Sequence, residues 1–461
     1  MAAPRASSQR PALDKRLRGE VIRPGDDAYD EARRVWNAAV DRRPALIVRP
    51  RDVDEVIAAV EFARINDLPL AVRGSGHSPA GYGTVDNGIV VDLSRMKRVA
   101  VDSEQRMAWA EPGVTWGEFN AQTHEHGLAT PGGDVAAVGI AGLTLGGGMG
   151  WLMRKHGMTI DNVMAVDIVT ADGRLLTASE TEHADLFWAL RGGGGNFGIA
   201  TRLQYRLHPV ATVLGGAIVY PATREGLRAY AEVAAAAPDD MTTITFVAKA
   251  PPLPFIPPDA HGTPVHLIMP CYAGNPDAGQ RALAPLRTLA GRTPLADTTG
   301  PVPYPALYDL THMAAVSRSH AMRNAYLREL AGDTIDIVLD FVNRTTSPFG
   351  LVPLRELGGA MARVPADATA FAHRDKAFYI AVDNAWEDDS PERHVAWTDT
   401  FWKAIAPYTD GAYAGFMHDE GDERVSAAYP PTTYSRLAAI KRQYDPANVF
   451  RSNTNVRPAR T

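Results

Sequence analysis

Short apolar runs bounded by glycine or proline alternate along the chain with longer segments whose apolar positions recur at helical spacing, the pattern of a mixed α and β protein. Ala45–Pro50 (ALIVRP) reads as a strand. The segment Asp52–Asn66 carries Val53, Val56, Ile57, Val60, Phe62 and Ala63 at positions that suit a helix with one buried face, and Leu68–Gly74 (LPLAVRG) reads as the returning strand. A βαβ start is therefore predicted, followed by strands within Gly88–Ser94, Met107–Gly113, Ala165–Gly173 and Thr201–Pro209. From about residue 210 the character changes. Longer strands, predicted at Gly215–Pro221, Met241–Ala250, Thr334–Val342 and Ala377–Trp386, alternate with helices over Arg224–Ala237 and His394–Tyr408. Proline-rich Ala250–Pro264 predicts a surface loop. This shift divides an N-terminal domain, residues 1–209, from a second domain, residues 210–416.

The N-terminal part is also where glycines cluster. In Val72–Gly83 (VRGSGHSPAGYG) one histidine, His77, sits in a turn that follows the returning strand. Gly74, Gly76 and Gly81 permit positive φ and can bring successive N–H groups into a nest for a pyrophosphate, with Arg73 adding a charge-assisted contact. Thr130–Val163 holds Gly132, Gly133, Gly139, Gly142, Gly146, Gly147, Gly148 and Gly150, and Asp185–Thr201 repeats the device. So many glycines imply close backbone approach to something flat or anionic. No G-x-G-x-x-G joins a strand to a helix with an acidic residue about twenty positions later, so this is not a Rossmann fingerprint, yet a two-nucleotide cofactor is implied.

At these clusters the chain closely resembles the berberine bridge enzyme-like branch of the vanillyl-alcohol oxidase/para-cresol methylhydroxylase flavoproteins. The resemblance continues in Pro24–Asn37 (PGDDAYDEARRVWN), in WEDD from Trp386 and in Arg436–Pro458 (RLAAIKRQYDPANVFRSNTNVRP), and so spans essentially the whole chain. It implies an α+β fold: a two-part FAD-binding domain with a βαβ start and a mixed sheet, and an α/β substrate domain built on an antiparallel sheet. The tail, residues 417–461, is implied to return to the FAD-binding domain. The implied FAD-binding residues are Arg73, Gly74, Ser75, Gly76, His77, Ser78, Gly81, Val138, Gly139, Gly142, Gly146, Gly147, Gly148, Gly198, Ile199, Asn453 and Asn455.

In relatives the histidine matching His77 is bonded to the flavin, and many members add a bond from a cysteine. Aligning on Val138–Gly142 puts Val135 at that cysteine position, and the one thiol, Cys271, lies in the other domain. The resemblance thus implies FAD attached through His77 only, a weaker oxidant in a wider site. Leu143 stands where relatives often carry His, Tyr413-Ala414-Gly415 replaces Y-x-N, and Ser75 replaces a common Gly. Catalysis in the family is hydride transfer to flavin, aided by a base on a strand that follows an H-R pair, here His373 and Arg374. That base position is Tyr379 or Ile380, depending on a one-residue gap, and alternation lets only one face the cofactor. The second base position is Phe416, which takes no proton, with Tyr413 three residues earlier. Tyr379 and Tyr413 are the expected catalytic residues, while His373 and Arg374 are expected to brace structure. Val138 matches the residue that in relatives lies over the ring carbon that meets dioxygen. Its modest size points to an oxidase using dioxygen.

Charge and composition restrict the partners. A net charge of −6 argues against nucleic acid, and His124, His126 and His156 form no metal-ligand pattern with a carboxylate or thiol. The single cysteine requires no oxidising compartment, and neither a leader-like apolar stretch nor a long apolar run is present, so a cytoplasmic protein with no membrane partner is expected. The expected activity is oxidation of a hydroxyl-bearing small molecule, a sugar, alcohol or secondary metabolite, with hydrogen peroxide as by-product. The alternatives are a dehydrogenase, an oxidative cyclase, or a flavin-binding protein without turnover.

Overall fold

The computed structural model describes Leu13 and residues 16–388, 390–418 and 420–460. Most of the N-terminal stretch read for a leader, and Asp389 of the WEDD motif, lie outside the described residues.

Strands β1 (Glu20–Ile22), β2 (Leu46–Arg49), β3 (Leu70–Arg73) and β4 (Ile89–Asp92) form a sheet in the order β1–β2–β4–β3, with β2 and β3 each parallel to β4. Parallel strands buried on both faces need apolar side chains on both. Leu46, Val48, Ile89 and Val91 pack one way against Val56, Ala59 and Val60 of α1 (Val53–Ile65), while Ile47, Ala71 and Val90 pack the other way with Tyr29. Helix α1 begins where the Asp52 carboxylate accepts the Glu55 N–H at 3.1 Å. The βαβ reading holds, with β4 inserted between its two strands.

An antiparallel sheet follows, built from β5 (Val99–Asp102), β6 (Met107–Ala110), β7 (Val163–Val169), β8 (Leu175–Ser179) and β9 (Ile199–Arg206) in the order β5–β6–β9–β7–β8. Its core holds Trp116, Phe119 and Tyr205 edge to face. Helix α2 (Trp116–His124) starts in a Thr115–Glu118 capping box. The C-terminal helix Pro431–Tyr444 packs Leu437 and Ile440 into this same core, and Lys441 Nζ donates to Asn196 O at 2.6 Å and Phe450 O at 2.8 Å while pairing with Asp445.

The other large element is a 10-stranded sheet whose pairings are all antiparallel. Its central strands are β10 (Pro264–Tyr272), β11 (Met241–Lys249), β12 (Leu351–Glu356), β13 (Phe378–Trp386) and β14 (Ser319–Leu327), in that spatial order. Helices Arg224–Ala235, Gly332–Asn343 and Pro391–Ile405 cover one face and bury Val247, Ile268, Leu354, Ile380 and Val382 beneath them. The opposite face borders the site.

One expectation is overturned. Thr334–Val342 is helix, not strand. Its β-branched residues suggest a strand, but the buried set Thr334, Ile335, Val338, Phe341 and Val342 repeats at helical spacing and forms one face toward the sheet. Ala250–Pro264 is the expected loop, mostly exposed or half-buried, with three residues tucked inward. Ala250 and Thr263 pair through Ala250 N–H to Thr263 O at 2.8 Å, and Ala250, Ile256 and Ala260 bury against Val219 and Val265.

Candidate active site

A cavity of about 1290 Å³ runs between the glycine loops and the uncovered face of the ten-stranded sheet. Ligand pockets commonly enclose roughly 300–1,000 Å³, so there is room for a large cofactor beside a small molecule.

One wall is backbone. Gly74, Ser75, Gly76, His77, Ser78, Val138, Gly139, Gly142, Gly146, Gly198 and Asn453 all border the cavity. A Cβ placed on Gly142 or Gly195 would meet no protein atom within 4 Å, so at both positions bare main chain faces the cavity. Gly76 takes the left-handed φ of 78°, whereas Gly74 stays outside that region, contrary to the expected nest geometry. Gly81, Gly147, Gly148, Ile199 and Asn455 are not among the residues that border the cavity. Gly81 makes room for Val40, Gly147 for Met158 and Tyr413, and Gly148 for Thr159, while Ile199 is core. Arg73 borders the cavity as well, and its guanidinium donates to Ala32 O at 2.6 Å, Arg34 O at 3.0 Å and Asp92 at 3.1 Å.

His77 is held rather than free. Ser75 Oγ accepts the Gly139 N–H at 2.7 Å and lies 3.1 Å from His77 Nδ1, which ties the first glycine turn to the start of the helix Ile140–Gly146. His77 Nε2 is buried without a partner, and burial pushes the imidazole down to about 4. A buried unpartnered nitrogen in a neutral ring is costly unless a bound group engages it. Trp36 stacks nearby, its ring 5.9 Å from His77 and 3.9 Å from His320, whose Nδ1 lies 2.9 Å from Asp383 Oδ1.

The sheet supplies the remaining groups. Alternation settles the choice on β13: Tyr379, Ala381, Asp383 and Ala385 face the cavity, while Ile380 packs under the helices. Tyr413 also lines the cavity, its hydroxyl accepting the Gly148 N–H at 2.8 Å, with its ring 6.4 Å from that of Tyr379. Burial raises both phenols, Tyr413 to about 12 and Tyr379 well above 10, with the Arg355 charge opposing the rise in each. Arg355 lies opposite Tyr379 in the strand register, and its Nη2 donates to Asp134 Oδ2 at 2.6 Å.

Trp36, Asp134, His320, Arg355 and Asp383 went unread in the sequence. Asp383 was within reach, because it shares the alternation of Tyr379. The others converge only through the fold. Val135, Leu143, Gly415 and Phe416, the positions that depart from the family pattern, all line the cavity. Cys271 does not: it is wholly buried in another core, and burial pushes its thiol up to about 12. His373 Nε2 lies 3.0 Å from Ala427 O, and Arg374 donates to both Asp161 oxygens at 2.7 and 2.8 Å, so both tie segments together. Among the described residues no cluster of histidine, cysteine and carboxylate is placed to hold a metal, and no helix is long and apolar enough to cross a membrane.

A glycine-lined cavity against an antiparallel sheet, with an unpartnered histidine nitrogen in its wall, is the site of a flavin-dependent oxidoreductase. Residues 44–179 match the family described as FAD binding domain, and residues 412–457 match berberine and berberine like. The chain is 31% identical to (R)-6-hydroxynicotine oxidase of Paenarthrobacter nicotinovorans, over 96% of this chain and 97% of that one. Its fold superposes on 6-hydroxy-D-nicotine oxidase from Arthrobacter nicotinovorans with a TM-score of 0.85 at 29% identity, covering 96% of this chain and 98% of that one. It superposes on xylooligosaccharide oxidase from Myceliophthora thermophila, in complex with xylobiose, with a TM-score of 0.86 at 25% identity, covering 98% and 100%. The chain belongs to the berberine bridge enzyme-like FAD-linked oxidases of the PCMH-type family. FAD is its cofactor, and the open backbone at Gly142 and Gly195 and the orphaned His77 Nε2 fit that group.

Proposed function

We propose that this enzyme oxidises a hydroxyl-bearing small molecule, with FAD bonded through His77 alone and dioxygen as the electron acceptor. When bound, FAD supplies hydride acceptance. The observation that carries this reading is the convergence on one cavity of Tyr379, Tyr413 and a histidine whose buried Nε2 has no partner. Backbone of the glycine loops and Asn453 would hold the dinucleotide, and the sheet face would exclude water from the substrate. Tyr379 and Tyr413 would orient the substrate hydroxyl, and a proton would pass to a phenol oxygen only in its phenolate form, which burial disfavours and the Arg355 charge favours. Buried Cys271 lies outside the cavity wall, which favours attachment at the histidine only. The named relatives are oxidases, and Val138, which borders the cavity, is a wall residue whose modest size would leave room for dioxygen.

Anaerobic mixing with a panel of hydroxylated compounds, followed by admission of air, tests the reading. Flavin bleaching, then rapid recolouring with hydrogen peroxide release, is the expected course. Val138→Leu should slow recolouring with little effect on bleaching, because one added methylene in a packed wall is felt sterically but is chemically inert. Equal recolouring rates in both proteins would remove the gating role. Slow recolouring of the wild type beside fast reduction of an artificial acceptor would make the enzyme a dehydrogenase.

A further inference from the structure

We infer that Ser75 is a positioning residue for flavin attachment, its hydroxyl holding His77 Nδ1 so that Nε2 is the nitrogen bonded to the methyl group of the FAD ring, an inference that rests on His77 carrying the flavin. A serine here departs from the family's common glycine, and two contacts fix its hydroxyl. Ser75 Oγ accepts the Gly139 N–H at 2.7 Å and lies 3.1 Å from His77 Nδ1. A Cβ at Gly139 would fall 3.0 Å from Oγ, so this close approach uses the glycine there. The imidazole is also held across its face. Trp36 stacks 5.9 Å from it and is itself pinned, its main-chain N–H donating to Gly76 O at 3.1 Å and its Nε1–H to Ala314 O at 3.0 Å. A flip that exchanged the two ring nitrogens would give up the Ser75 contact, and Trp36 keeps the ring from swinging elsewhere. Nε2 is left buried with no partner.

The proton inventory explains why a hydroxyl suits this position. Burial pushes His77 down to about 4, so near neutrality its ring carries one N–H and one lone pair. For Nε2 to attack, the proton must sit on Nδ1. Ser75 Oγ has one lone pair engaged by Gly139 and the other free to accept that Nδ1–H. As the Nε2–carbon bond forms, positive charge develops on the imidazole and this hydrogen bond strengthens. When the Nδ1 proton has left, the same hydroxyl turns its own hydrogen to the bare nitrogen. A carbonyl only accepts and an amide N–H only donates, whereas a hydroxyl serves both states. Overall one methyl C–H bond breaks and one Nε2–carbon bond forms. The methyl proton, the imidazole proton and the electron pair of the C–H bond end on the flavin ring, which dioxygen returns to its oxidised form with release of hydrogen peroxide.

Two measurements test the assignment without turnover of any substrate. In the first, the histidyl flavin is released from the wild type by proteolysis and its linkage is read by NMR, with Nε2 as the expected position. In the second, full-length protein made in flavin-starved cells is mixed with FAD in air, and acid precipitation at intervals separates bonded from free flavin. Ser75→Gly and Ser75→Ala should hold as much FAD as the wild type before precipitation, because the cradle at Gly142 and Gly195 is main chain. Both should form the bond roughly tenfold or more slowly, as loss of a hydrogen bond to a group gaining charge requires. Ser75→Thr keeps the hydroxyl and should restore most of the rate, which a merely structural role for the side chain would not require. Linkage through Nδ1 would overturn the assignment, as would equal rates in the wild type and both hydroxyl-free variants, or a Ser75→Thr no faster than Ser75→Ala. Loss of total FAD in step with loss of the bonded fraction would also overturn it, by making Ser75 part of the cradle. Wild-type flavin found wholly in the supernatant is a different failure, since it removes attachment at His77 and Ser75's part in it together.

Discussion

At the scale of single residues, the chemistry of this enzyme turns on whether a side chain has a partner. Ser75 departs from the family's glycine, yet its hydroxyl joins the Gly139 N–H and His77 Nδ1, leaving Nε2 as the nitrogen without a protein partner. Covalent flavin at His77 alone predicts that acid-precipitated wild type stays yellow, with the flavin on the peptide that contains His77. His77→Ala should release the colour on precipitation while the native protein keeps FAD, because the cradle at Gly142 and Gly195 is main chain. Flavin found in the supernatant of wild type, or on Cys271, would refute attachment at His77. Arg73 shows what residue type alone leaves out. A guanidinium beside a glycine turn reads as a phosphate ligand, but a buried arginine must first satisfy its own donors, and Ala32, Arg34 and Asp92 do so.

At the scale of elements, the sequence discloses what periodicity encodes and conceals what depends on a partner element. The βαβ start, the strand Phe378–Trp386 and the helices Arg224–Ala235 and Pro391–Ile405 follow from alternation or helical spacing. Thr334–Val342 misleads because β-branching and a helical burial pattern compete, and packing against the sheet decides for helix. The glycine clusters are a mixed case: Gly142 faces open cavity, while Gly132 accommodates the Trp116 ring, a need visible only once the two segments meet. Likewise the Arg355–Asp134 pair joins β12 to the loop before Ile140–Gly146, across a sequence gap that no spacing rule bridges. That loop carries the next prediction. Val135 lines the cavity, and the family alignment would put it where relatives carry a second flavin-linked cysteine. Val135→Cys should therefore give a flavin peptide cross-linked to both His77 and residue 135, with a raised flavin potential. A free thiol titrated at residue 135, with flavin still on His77 alone, would show that the loop holds the side chain out of reach.

At the scale of the whole molecule, uncharged histidines are part of how the interior is packed. Burial pushes His156 down to about 3 and His208 to about 4, and their rings stack at 3.8 Å with nearby Lys155 opposing a further positive charge. His266, on a central strand, is pushed down to about 3 by burial alone, with both ring nitrogens unpartnered and Tyr230 edge-on at 4.9 Å. In the unfolded chain each of these rings takes up a proton near pH 6.5. The folded molecule does not until pH is far lower, so between about pH 6.5 and 4 the unfolded state binds more protons and stability falls as pH falls. Glu356 works the other way, because burial raises it to about 8 and the folded state is then the better proton binder, so the net acid curve mixes opposing signs. His266→Phe isolates the histidine contribution. It keeps a flat ring against Tyr230 and removes two buried unsatisfied nitrogens, each a penalty of about 1–3 kcal/mol. Melting temperatures of the two proteins across this range decide the matter. The variant should match or exceed wild type near neutrality, and its advantage should widen as pH falls from 6.5 toward 4. An advantage independent of pH would mean that His266 titrates alike in the folded and unfolded states and that its burial does not govern the acid response.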